Sequence, residues 1–174
     1  MATFGLTTIG ANLLSGITGD TTVGSRYTAG ASGTLSKIWA YISITGVGTA
    51  PMRAAIFANT GSNTVGALIA SASTSVNISN TSPQWISVDV SASITAGTEY
   101  WLFVWADTSG FSGAYNLYYD TNAISNASST CFGISPFADW TQVGDGINDN
   151  YSTGSASIYG EFTTSDQVVA WLTA

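Results

Sequence analysis

The sequence predicts an all-β fold: an antiparallel two-sheet β-sandwich of jelly-roll topology, closed by residue 164 and followed by a short apolar tail over residues 165–174. Three observations carry this. The run Thr98-Glu99-Tyr100-Trp101-Leu102-Phe103-Val104-Trp105-Ala106-Asp107 is the most apolar and aromatic stretch, and it is bounded by Ala96-Gly97 and Ser109-Gly110. Its length and aromatic content suit a strand better than a helix. About eight short runs rich in Val, Ile, Thr and aromatic residues are separated by Gly, Ser and Asn turns, the spacing of an antiparallel sandwich. No 3.6-residue period appears before Ser165.

Within the central run, Tyr100, Leu102, Val104 and Ala106 fall on one face, and Trp101, Phe103 and Trp105 on the other. Both faces are apolar, so both must be covered, and the strand belongs in the middle of a sheet. Taking the chain in order, Thr3 to Leu14 carries Phe4, Leu6 and Ile9 among Thr and Gly, and suits an edge strand or an arm laid along a neighbour. Thr21 to Thr28 is a second strand, ended by the glycines between 30 and 33. Ser36 to Ile44 alternates, with Ile38, Ala40, Ile42 and Ile44 inward and Lys37, Trp39, Tyr41 and Ser43 outward. Met52 to Ala58 and Ala67 to Ser71 are strands around a loop at 59–63, and Ser75 to Ile78 is a further short one. Trp85 to Val90 alternates again, with Ile86, Val88 and Val90 inward. Tyr115 to Asp120 and Ser155 to Thr163 complete the set, and residues 121–151 between them read as a long loop region.

Composition narrows the function. With 174 residues and 45% apolar residues the chain is long enough to bury a core without staples. Its single cysteine, Cys131, excludes an intramolecular disulfide and reads as a small apolar side chain. Only 7% of residues are charged, and 3 Lys+Arg against 10 Asp+Glu give a net charge of -7. Arg26, Lys37 and Arg53 are too scattered for the cation cluster that nucleic acid or an anionic membrane needs, so neither is an expected partner. The N-terminus lacks a basic segment followed by an apolar one, and no run is long enough to cross a membrane as a helix. The expected place of synthesis is therefore a cytoplasm, with an extracellular location as the alternative if a leader has been removed.

The absence of histidine excludes Ser-His-Asp and Cys-His nucleophile arrangements and the commonest metal ligand. A carboxylate pair for glycoside hydrolysis would have to come from Asp89, Glu99, Asp107, Asp120, Asp139, Asp145, Asp149 and Glu161, most of which fall at strand ends or on outward faces. No enzymatic activity and no cofactor are expected. Asp145, Asn148 and Asp149 lie close enough together to hold calcium, but they lack the spacing and bidentate Glu of a dedicated loop and read first as a solvated turn. Trp39 and Tyr41, Trp101 and Trp105, Tyr115 and Tyr119, and Trp140 could form a flat platform for sugar rings, with Trp105, Tyr119 and Trp140 as the leading candidates; otherwise they are core or interface residues. After Ser165, Val168, Val169, Trp171 and Leu172 form an apolar cluster that either folds back over an open end of the sandwich or docks on another chain.

The succession Thr7-Thr8-Ile9-Gly10, Ser25-Arg26-Tyr27-Thr28, Lys37-Ile38-Trp39-Ala40-Tyr41, Arg53-Ala54-Ala55-Ile56-Phe57-Ala58, Gly66-Ala67-Leu68-Ile69-Ala70, Trp85-Ile86 and Ala96-Gly97-Thr98-Glu99-Tyr100-Trp101-Leu102 resembles a jelly-roll β-sandwich module. Such modules occur in phage virion surface proteins and in bacterial surface or secreted proteins, where they are similar to carbohydrate-binding modules. The resemblance spans about residues 4 to 163 and implies a fold without implying catalytic residues. The expected function is that of a non-enzymatic structural protein at a virion surface, such as a phage capsid decoration protein. Its expected partners are its own copies, as a trimer, and a major capsid or other virion protein. Phe4, Leu6, Val168, Val169, Trp171 and Leu172 are the expected assembly contacts. The alternative is a carbohydrate-binding module of an extracellular protein, with glycans as partners.

Overall fold

A computed structural model describes residues 1–18, 21–61, 65–109, 112–121, 128–131, 140, 149–152 and 154–165. Its strands are β1 (Ala2–Gly5), β2 (Asn12–Ile17), β3 (Thr22–Thr28), β4 (Gly33–Thr45), β5 (Ala50–Asn59), β6 (Val65–Ser71), β7 (Val76–Ile78), β8 (Gln84–Ile94), β9 (Glu99–Ala106), β10 (Ala114–Thr121), β11 (Ser128–Cys131), β12 (Asp149–Ser152), β13 (Gly154–Ala156) and β14 (Ile158–Thr164). Every pairing is antiparallel.

In the first sheet β14 lies between β1 and β4, and β8 pairs the other side of β4. Beyond the end of β14, the C-terminal half of β4 pairs β10, which carries β2 on its far side. The second sheet runs β12-β11-β3-β9-β5-β6, with β7 also on β5. The principal strand orders are thus 1-14-4-8 and 3-9-5-6, and the chain crosses between layers at every principal step except the β5–β6 hairpin. This is a jelly roll.

The alternation in the sequence decides what lies between the layers. Ile38, Ala40, Ile42 and Ile44 from β4, Val88 and Val90 from β8, Tyr100, Leu102 and Val104 from β9, and Phe162 from β14 form one continuous core. Phe4 and Leu6 belong to it too, with the Phe4 ring edge-on to Tyr100 at 6.2 Å and to Phe162 at 5.9 Å. This corrects the expectation that these two residues grip a neighbour: β1 is an edge strand, but Phe4 faces inward because its Cα pairs with Gly160, whose missing side chain leaves the ring its space.

The other face of β9 builds a second apolar layer. Trp101, Phe103 and Trp105 pack there with Ala55, Phe57, Val65 and Trp140 on the outside of the second sheet. Gly24, the Cα partner of Phe103, makes room for it, since a Cβ at that position would sit 2.3 Å from the ring. The double covering expected for the central strand is therefore present, and β3 and β5 flank it on both sides.

Two short strands, β11 and β12, fall in the region expected to be loop. Ser-Ser-Thr-Cys and Asp-Asn-Tyr-Ser show no apolar alternation, so nothing in their pattern marks the pairing of β11 with β12 and with β3. The last described residue, Ser165, donates its amide to the Ser32 carbonyl at 3.1 Å. Val168, Val169, Trp171 and Leu172 lie outside the described residues.

Two consequences can be measured. Trp101→Ala and Phe103→Ala should each cost about 3–5 kcal/mol in denaturant unfolding, the range for deleting a buried aromatic ring. Tyr27 and Tyr115 are buried, and burial pushes both phenols well above their ordinary value. Below a pH of about 10 both the folded and the unfolded chain keep these protons, so the two groups do not change stability there. Above it only the unfolded chain loses them, and stability should fall by up to about 1.4 kcal/mol per pH unit for each group. Absorbance at 295 nm should accordingly show two of the 8 tyrosines titrating only as the chain unfolds.

Candidate functional site

The outer face of the first sheet has a different character from that of the second. Outward positions of β4 place Lys37, Trp39 and Tyr41 in a row, and antiparallel register sets specific partners beside them. Tyr41 is paired with Trp85 of β8, Trp39 with Tyr159 of β14 and Ser87 of β8, and Lys37 with Asp89 and Glu161. Tyr118 projects from β10 on the same side. The rings of Trp39, Tyr41, Trp85, Tyr118 and Tyr159 are each half-buried.

They form a connected chain across the sheet. Trp39 and Tyr159 are stacked, 5.9 Å between centroids with planes 10° apart. Tyr159 meets Trp85 edge-on at 5.0 Å, across β4. Trp85 meets Tyr41 at 5.4 Å, and Tyr41 meets Tyr118 at 5.3 Å, both edge-to-face. These are the offset and T-shaped geometries that aromatic quadrupoles favour, so each ring fixes the orientation of the next. The Trp39 indole N–H lies buried without a hydrogen-bond partner, so stacking and not hydrogen bonding sets that ring's position.

The face is close to neutral. Lys37 Nζ donates to Asp89 Oδ1 at 2.7 Å, and that hydrogen bond, with the Asp89 charge, holds the ammonium above its ordinary pKa. Burial, then the nearby Glu161 charge, pushes the Tyr159 phenol up and keeps it protonated.

Of the two readings open for the aromatic candidates, a sugar platform or core and interface residues, burial favours the core for Trp101, Trp105, Tyr115 and Trp140. Trp105 and Trp140 are buried against each other, 5.6 Å apart and edge-on, in the layer outside the second sheet. Tyr119 is in the first sheet, half-buried, with its ring beside Gly154. Trp101 lies in the same covered layer as Trp105, and Tyr115 is in the core with its hydroxyl donating to the Thr21 carbonyl at 2.6 Å. Of the aromatic candidates, Trp39 and Tyr41 sit at the centre of the exposed cluster. Trp85, Tyr118 and Tyr159 complete it; each has outward parity in its own strand, but only register shows that they meet.

Among the described residues, Glu99, Asp107 and Asp120 make contacts within the fold. Glu99 pairs with Arg26 at 3.2 Å and accepts from Asn59 Nδ2 at 2.9 Å, while Asn59 Oδ1 accepts from the Trp101 indole at 3.1 Å. Asp120 accepts from the Ala11 amide at 2.6 Å, and Asp107 from the Ser109 amide at 2.8 Å. Asp139 and two of the calcium candidates, Asp145 and Asn148, lie outside the described residues; the backbone of the third, Asp149, opens β12.

No protein-family model matches the chain, and no curated protein matches it either.

The two ion pairs differ in what they contribute. Arg26 is 6% exposed, so Glu99→Ala strands a buried guanidinium and should cost about 2–3 kcal/mol, below the full penalty for a buried pair because Glu99 is partly wet. Asp89→Ala removes an exposed pair and should change stability by less than about 1 kcal/mol. Urea midpoints of the two variants test the contrast.

Proposed function

We propose that the chain is a non-enzymatic structural protein of a virion surface, a capsid decoration protein or another head or tail surface protein. In this reading it assembles from its own copies, as a trimer, against a major capsid or other virion protein. The observation that carries the reading is that the sandwich fills its own core by β14. Phe162 is buried among Phe4 and the other core side chains, and β14 pairs with β4 as far as Thr164 opposite Gly33. In this reading the apolar residues that follow in sequence, Val168, Val169, Trp171 and Leu172, make the contact with another chain. A sparsely charged surface supports the same reading, because copies can be packed side by side without stripping water from many ions. The resemblance to jelly-roll modules of virion proteins agrees with it.

Size-exclusion chromatography with light scattering tests this. The full chain should be an oligomer, and a variant ending at Thr164 should melt within a few degrees of it yet run as a monomer. A monomeric full chain, or a truncated one that assembles equally well, refutes the assembly role of the tail.

A further inference from the structure

We infer that the outer face of the first sheet is a carbohydrate-binding platform, on which Trp39, Tyr159, Trp85, Tyr41 and Tyr118 stack the pyranose rings of a neutral oligosaccharide. The inference does not depend on the virion reading, since it concerns a property of the single folded chain.

Three features select this ligand. First, the outward positions of β4, β8 and β14 around the cluster are aromatic or polar, not aliphatic: Lys37, Ser87, Asp89, Glu161 and Thr163 accompany the rings. Aliphatic side chains that are exposed, such as Leu68 and Ile69 of β6, lie on the other sheet, and Leu13 enters only at the β2 edge opposite Tyr118. The C–H face of a sugar is drawn to the electron-rich face of an aromatic ring, and the polar residues beside the rings suit its hydroxyls.

Second, the face offers no surplus cation, since Lys37 stands between two carboxylates, Asp89 and Glu161. Lys37 is engaged with Asp89, and a neutral ligand needs no counter-charge from this face. The hydroxyls of Tyr41, Tyr118 and Tyr159, with Ser87 and Glu161, provide donors and acceptors at the rim for sugar hydroxyls. Third, the rings hold one another in place, so little side-chain freedom remains to be lost when a ligand docks. Because the chain of rings crosses several strands, it can meet more than one sugar unit in succession.

The full chain should be screened on a glycan array and titrated by calorimetry and tryptophan fluorescence with cellohexaose, chitohexaose, xylohexaose and maltohexaose. Saturable binding to at least one glycan is expected. Trp85→Ala and Tyr159→Ala should each weaken it on the order of tenfold. Tyr159→Phe, which keeps the ring and the fold, should stay within about twofold of the wild type if stacking dominates. Bound ligand should also shield Trp39 and Trp85 of the unaltered protein from acrylamide quenching, a readout that needs no variant to fold. Truncation at Thr164 should leave binding unchanged, which separates this site from the assembly role of the tail. The inference is overturned if no glycan binds, or if folded Trp85→Ala and Tyr159→Ala bind as the wild type does. It is equally overturned if those variants lose self-association and not sugar binding, because the face would then join copies of the chain.

Discussion

Burial of β9 on both of its faces is the constraint from which the rest of the structure follows. A strand with Leu102 and Val104 on one side and Trp101, Phe103 and Trp105 on the other cannot lie at a solvated surface. One side is satisfied by the first sheet, which sets the spacing of the sandwich. The other needs a cover that the sheet cannot provide, and Phe57, Val65 and Trp140 contribute to it. Gly24 gives Phe103 its room, and the Arg26–Glu99–Asn59 network anchors the Trp101 indole at the end of the same layer. The second sheet therefore has a buried apolar cluster on each of its faces.

The outer face of the first sheet carries a ring cluster of its own. Strands β4, β8, β10 and β14 turn their aliphatic residues, with Tyr115 and Phe162, into the core and place Trp39, Tyr41, Trp85, Tyr118 and Tyr159 outward. Half-exposed rings in such numbers are costly to leave in water unless they cover one another, and the stacked and edge-on contacts do part of that. The polar groups that structure the rest of the molecule, such as Tyr27 donating to the Ala156 carbonyl and Tyr115 donating to the Thr21 carbonyl, are satisfied inside.

Much of the fold was legible because alternation is a local property. Ile38 to Ile44, Ile86 to Val90 and the two faces of Thr98 to Asp107 could be sorted residue by residue, and turns rich in Gly, Ser and Asn marked the strand ends. The failures have equally local causes. β11 and β12 carry no apolar period, so backbone pairing was invisible in them. Phe4 and Leu6 resembled docking residues because a short strand with two apolar side chains does not say which chain's core receives them. Trp105 and Trp140 resembled a platform because period two separates the faces of a strand without saying which of two apolar faces is covered.

The sequence by itself determined the all-β class, the central strand, the inward set of each principal strand and the lack of histidine chemistry, since these depend on residue type and on a two-residue repeat. Only the tertiary structure decided that Tyr41 lies beside Trp85 and Trp39 beside Tyr159, and that Trp140 seals the opposite sheet. Strand neighbours in a jelly roll are far apart along the chain, and their register is fixed by the packing of the whole sandwich, which no local pattern contains.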